Sequence, residues 1–198
     1  MPTDRYLNMP EEKRRLINRA VVSDFRKNHY KDIKVGRIAG QVQLSRSSLY
    51  TYFDGKGEML QLAVDQIWCD FFDFNKKRIV EHHGDYWAMQ MDGLEYFLQK
   101  NGRMPLNLVM FSYSSNISRE YVKWIFHHAD RQNMRLKTAE EFASLQDLCH
   151  ALLNLAVCKY QMGVDIREVK WDFAVGLSHM KTGFLRKEES AFTGDNRR

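Results

Sequence analysis

The run Val35-Gly36-Arg37-Ile38-Ala39-Gly40-Gln41-Val42-Gln43-Leu44-Ser45-Arg46-Ser47-Ser48-Leu49-Tyr50-Thr51-Tyr52-Phe53 holds two short apolar patterns joined by a tight break. In the first, from Asp32 to about Gly40, Val35, Ile38 and Ala39 share one helical face. After Val42-Gln43-Leu44 a second helix is predicted from Ser45 to Thr51. Ser45 opens it as a cap, because its hydroxyl can accept from a free N–H of the first turn, and Leu44 and Leu49 anchor it. Two short helices separated by three or four residues make a candidate helix-turn-helix. Leu44, Leu49 and Phe53 form the buried side of the second helix, which leaves Arg46, Ser47, Tyr50 and Thr51 toward solvent.

Upstream, Asn8-Met9-Pro10-Glu11 reads as a helix start, with Asn8 as cap, Pro10 in the first turn and Glu11 completing a capping box. Leu16, Ile17, Ala20, Val21 and Phe25 then recur at helical spacing up to a stop near Asn28-His29-Tyr30. Charge separates this region from the rest. The 198 residues carry 30 Lys+Arg and 25 Asp+Glu, a net +5. Residues 1–60 hold 12 of the basic and 7 of the acidic side chains, and residues 61–198 hold 18 of each, so the whole excess is local. A basic segment joined to a neutral one suits a nucleic-acid reader attached to a second function, and basic segments without such a partner are also common.

The residues Val35 to Ala39, Leu44 to Phe53, Lys56 and Leu60 resemble the DNA-binding domain of TetR-type transcriptional regulators. That family shows an Ile-Ala pair in its second helix, a turn, then Ser-x-Gly-Thr-Leu-Tyr-x-Tyr/His-Phe and a lysine opening the fourth helix. Here the pair is Ile38-Ala39, the signature runs from Ser45 to Phe53, and Lys56 is in register, so the likeness covers about residues 10–62. Two departures stand out. The usual Ala-Gly-Val turn is Val42-Gln43-Leu44, and Gly-Thr is Ser47-Ser48. A left-handed Gln43 in place of the family glycine costs about 1 kcal/mol.

The resemblance implies an all-α chain of about nine helices in two domains: a three-helix helix-turn-helix domain at 1–55, a ligand-binding and dimerisation domain at 56–187, and a loose tail at 188–198. It implies a homodimeric regulator, most simply a repressor, released from a palindromic double-stranded operator by a small-molecule effector. Arg46 is the candidate base reader, since its planar fork matches O6 and N7 of guanine. Ser45, Ser47, Ser48 and Thr51 can reach bases or phosphates, and Tyr50, Tyr52 and Lys56 occupy the family's phosphate-clamp positions. Lys34 and Arg37 can reach the flanking backbone; each also fits a plain solvated surface side chain.

Beyond the head, helices are expected over 56–80, from Asp85 to about Gln99, from Pro105 through Phe111, and from Ser118 through His128. Two more open at the capping box Thr138-Ala139-Glu140-Glu141 and at Asp165-Ile166-Arg167-Glu168. In the family this last pair joins its copies in a four-helix bundle. The stripes Leu145, Cys149, Leu152, Ala156 and Phe173, Gly176, Leu177, Met180 fit that role, as they would fit the core of a monomer. Leu148, Leu155 and Val157 extend the first stripe onto a second face, and Trp171 and Val175 lie off the other. Aromatic and methionine side chains crowd 67–134, and Trp87, Met91, Phe111, Tyr113 and Trp124 are the candidate pocket for a mostly apolar ligand. For any one of them ordinary core packing is the favoured reading.

Other chemistries find little support. No apolar run approaches the length of a membrane span, and residues 1–30 hold no signal-peptide core, so no membrane role is expected and a cytoplasmic setting is. His82-His83 and His127-His128 are neighbours that point about 100° apart on a helix and do not converge on one ion, so no metal or other cofactor is expected. Cys149 and Cys158 lie roughly 13 Å apart along one helix, too far to bridge, and Cys69 is expected to pack. The nucleophile-elbow, P-loop and dinucleotide motifs are absent, so an enzyme is not expected. Two alternatives remain open: a body that binds a protein partner or organises the chromosome, and a small-molecule-binding protein or enzyme with a vestigial helix-turn-helix.

Overall fold

The computed structural model describes residues 3–105, 119–130, 136 and 138–185. Among these it is all-helical, with no strand: α1 (Asp4–Leu7), α2 (Glu11–Lys27), α3 (Val35–Gln41), α4 (Arg46–Tyr50), α5 (Lys56–Glu81), α6 (Tyr86–Asn101), α7 (Arg119–His128), α8 (Ala139–Gln161) and α9 (Ile166–Leu185). A 3-10 turn at Tyr30–Asp32 precedes α3. No helix among the described residues is long and apolar enough to cross a membrane. The expected segment through Phe111, the start at Ser118 and the tail at 188–198 lie outside the described residues.

The long α5 is the spine. It packs against α2 near one end and against α6 and α7 further along, while α8 pairs with α9 and both rest on α6. Met59, Ala63, Ile67, Phe71 and Ile79 are its buried stripe. Its C-terminus turns through His83 and Gly84, both at positive φ (52° and 91°). A Cβ on Gly84 would stand 2.6 Å from the Asp130 nitrogen, which donates to the Gly84 carbonyl. Only glycine lets the α5–α6 turn dock on the end of α7 this closely.

Local caps explain several starts. Thr138 Oγ1 accepts from Glu141 N–H and Glu141 Oε2 from Thr138 N–H, both at 3.2 Å, which is the reciprocal box its sequence predicts. Asp165 accepts from the Arg167 N–H at 2.8 Å at the head of α9, and the Arg167 side chain together with these amides holds its carboxyl below the usual range. The start of α2 differs from expectation. Asn8 makes no cap; its N–H closes α1 on the Asp4 carbonyl, and Pro10 takes the cap position. The cause is Tyr6, buried against Phe53 with ring centroids 5.1 Å apart and hydrogen-bonded to Asn18, which curls 4–7 into its own turn. Cys69 also departs from expectation: it is exposed on α5.

The expected dimer stripe of the α8–α9 pair packs largely within the chain. Leu145, Cys149, Ala156, Phe173 and Leu177 are buried within the chain itself, and Leu152 and Met180 are half-buried against the same core. Val157 is fully buried too. Gly176 serves the internal crossing, since a Cβ there would meet Leu152 Cδ2 at 2.8 Å. Among the described residues of this pair and its connection, the large apolar side chains left outside are Leu148, Leu155, Met162, Ile166 and Trp171, the last 70% exposed.

Candidate nucleic-acid interface

The α3–α4 unit forms as its residues dictate. Val35, Ile38 and Ala39 are buried, Leu49 and Phe53 are fully buried, and Leu44 and Val42 are half-buried beneath the turn. Gln43 takes φ 54°, the left-handed conformation that the sequence leads one to expect at this turn. Its N–H donates to the Gly40 carbonyl and the next N–H, Leu44, to Ala39, so the break is fully hydrogen-bonded. Ser45 Oγ accepts from the Ser48 N–H at 3.0 Å and lies 2.8 Å from both Ser47 Oγ and Ser48 Oγ. The three hydroxyls form one cluster at the N-terminus of α4, beside backbone N–H groups suited to an anion.

Arg46, Ser47, Tyr50 and Thr51 are exposed, and Ser48 is half-buried. Arg46 pairs with no carboxylate among the described residues; its guanidinium rests 5.6 Å from the centre of the Tyr50 ring, in cation–π range. Thr51 Oγ1 donates to the Ser48 carbonyl at 2.7 Å and turns back on its own helix. Tyr52 is half-buried, and Lys13 of α2 approaches both its hydroxyl (3.4 Å) and its ring (5.7 Å). Lys34 is exposed at the cap of α3.

Two expected phosphate contacts are committed inside the chain. Arg37 donates through Nε and Nη2 to Asp24, at 2.5 and 2.9 Å, and Asp24 is buried. The pair neutralises a carboxylate that would otherwise be stranded in α2, and it raises the already high Arg37 pKa. Lys56 donates to the carbonyls of Ile33 (3.1 Å) and Tyr30 (3.4 Å) and lies over the Tyr30 ring, tying the start of α5 to the turn before α3. Both residues position the unit rather than extend its free basic edge.

Sequence reading missed what holds α4 from behind. Thr3 donates through its N–H to the Tyr52 carbonyl (3.1 Å) and through Oγ1 to the Thr51 carbonyl (2.9 Å), so the N-terminal segment clasps the end of α4. Nothing local to Thr3 signals a partner nearly fifty residues away.

In the body, Trp87, Met91 and Trp124 are half-buried, and Phe111 and Tyr113 lie outside the described residues. Trp87 meets Tyr86 edge-on, while Trp124 stacks on His128 at 3.6 Å beneath Lys76, so no ring contact joins the two tryptophans. Deeper, Trp68 gathers Phe71, Phe72, Phe97 and His150 within 4.4–5.8 Å. Polar groups thread this cluster: Tyr86 donates to Gln146 at 2.9 Å and Asn75 to the Tyr121 hydroxyl at 3.0 Å. Trp68 Nε1, Asn75 Oδ1 and Gln90 Nε2 are buried without a hydrogen-bond partner. Burial lowers His150 to about 4 and pushes the Cys149 thiol up to about 12. Among the described residues no three His, Cys, Asp or Glu side chains gather as a metal site. His82 instead faces Asp92 at 2.8 Å.

No protein-family model and no curated protein matches the chain. Among solved structures it is similar to a TetR family transcriptional regulator from Chloroflexus aurantiacus J-10-FL, at 17% identity and a TM-score of 0.43, over 94% of this chain and all of that one. A TM-score of that size settles nothing by itself; the all-helical architecture rests on the helices described above.

Proposed function

We propose that the chain is a homodimeric DNA-binding transcriptional regulator, a repressor released from a palindromic operator by a small, mostly apolar ligand. The observation that carries the proposal is α4. A helix rooted by Leu49 and Phe53 and capped by Ser45 presents Arg46, Ser47 and Tyr50 outward, next to a left-handed turn at Gln43. Its N-terminal end meets base edges in the major groove, Arg46 reads guanine, and the serine cluster, Tyr50, Tyr52 and Lys34 hold phosphates. Residues 1–55 form the reading head and 56–187 the body.

The exposed Leu148, Leu155, Met162 and Trp171 support self-association through α8 and α9, because burying each such side chain is worth about 1.5–3 kcal/mol. A two-fold pair sets two α4 helices on half-sites one helical turn apart. The orphan N–H of Trp68, set among aromatic rings, supports an apolar ligand that brings a hydrogen-bond acceptor. Ligand favouring one spacing of the heads shifts the population away from the DNA-bound one.

The test is fluorescence anisotropy on a palindromic duplex from the chain's own promoter. Affinity should fall steeply with salt, through counterion release. Arg46→Ala should weaken it about tenfold to a hundredfold with thermal stability unchanged. Affinity indifferent to both would sink the proposal.

A further inference from the structure

Where α2 lies on α5, a groove of about 570 Å³ runs between them, within the size range of small-molecule sites. From α2 it is lined by Arg15, Arg19, Arg26 and Lys27, and from α5 by Gln66 and Asp70. Four cations face one carboxylate. Arg26 lies 3.5 Å from Asp70 and donates to Asn101 at 2.9 Å, which fixes its fork at the groove wall. Among the described residues the carboxylate that Arg15 reaches is the exposed Glu11, at 3.7 Å. Arg19 and Lys27 meet no carboxylate among the described residues. Like charges such as Arg15 and Arg19, four residues apart on a helix, repel, so the α2 wall is disfavoured until an anion fills it.

We propose that this groove is a binding site for a small multiply charged oxyanion, an organic phosphate or a polycarboxylate, separate from both the α4 surface and the aromatic body. Arginine forks suit either group, because each presents paired oxygens at the spacing of guanidinium N–H donors. Arg26 is held in place by Asp70 and Asn101, and Arg19 and Lys27 supply the uncompensated charge. Arg19 also borders an adjoining hollow that reaches Gln43 of the turn. An anion held here cross-links α2 to α5 and fixes the angle between them. On the DNA-binding reading, to which this consequence is tied, that angle sets operator affinity.

Isothermal titration of the full chain with pyrophosphate and, separately, with citrate, at constant ionic strength in chloride, tests the site without any DNA. At least one should bind at a single saturable site, and Arg19→Gln/Lys27→Gln should weaken it by at least about tenfold with the melting temperature unchanged. Should the double variant fold poorly, Lys27→Gln alone should weaken binding in the same direction. Preference between the two probes tells phosphate from carboxylate. Failure of both to bind, or equal binding by wild type and variant, overturns the proposal. So does a third result: operator affinity lost as fully by the double variant as by Arg46→Ala in the absence of polyanion, which would make the groove part of the duplex contact.

Discussion

The helix-turn-helix region and the helical body use the same kind of element but put their polar side chains on opposite sides. In residues 3–55, Asp24 is the buried polar side chain among those described, and Arg37 neutralises it; the rest of the polarity faces outward. In the body Asn75, Gln90, Asn101, Gln146, His150 and Asn154 are buried, several of them among aromatic rings. The head is a small apolar core that holds a polar surface steady. The body carries its polar groups inward, an arrangement that lowers stability unless something uses them.

The largest test of that contrast is Phe53→Ala. Removing this fully buried ring should cost about 3–5 kcal/mol in the head and abolish operator binding. All four tryptophans lie beyond residue 60, so fluorescence reports the body alone. Helical circular dichroism should then show an early transition that tryptophan fluorescence lacks; coincident transitions would show the two regions unfolding as one. A smaller effect belongs to the body. His150 sits near pKa 4 because burial penalises its charge, against an ordinary 6.5. Between those values the unfolded chain binds the extra proton, so stability should fall as pH drops from about 6.5 to about 4, by up to ~3 kcal/mol. Urea titrations at pH 7 and pH 5 measure it, and His150→Gln should flatten the difference. If His150→Gln leaves the slope as steep, another group carries it.

The smallest pair of effects is the most discriminating. Ser45→Ala and Thr138→Ala each remove a helix cap and should each cost about 1 kcal/mol in thermal unfolding. Only Ser45→Ala should also weaken operator binding, because on the proposed DNA-binding reading its hydroxyl cluster is part of the contact surface. Equal loss of binding from both would mean that affinity follows general stability rather than α4.

The head was legible because its chemistry is local. Ser45 caps three residues ahead, Leu49 and Phe53 are one turn apart, and Gln43 sits where the left-handed turn must be. The dimer stripe is harder to read for the opposite reason. An α8 apolar on two faces does not say which face meets its own chain; Leu145 and Cys149 went inside, while Leu148 and Leu155 stayed out. Asn8 looked like a cap until Tyr6 found Phe53, a contact across some fifty residues. Asn75 and Gln90 sit on helices whose apolar periodicity is already satisfied by their neighbours, so spacing alone gave no sign of their burial. The basic excess was visible in the counts, but its gathering in one groove depends on how α2 lies on α5.

The 26 residues of α5 follow α4 in the chain and end at the docked turn of Gly84. A rod of that length is about 39 Å long, so a tilt of about five degrees at the body end carries the other end about 3.4 Å, the rise of one base pair. Two such rods in a symmetric pair would move their heads out of register by two steps. On the proposed reading a ligand would need neither to melt a helix nor to open a domain: a change in rod angle smaller than the scatter of ordinary helix crossings would make a matched operator a mismatched one.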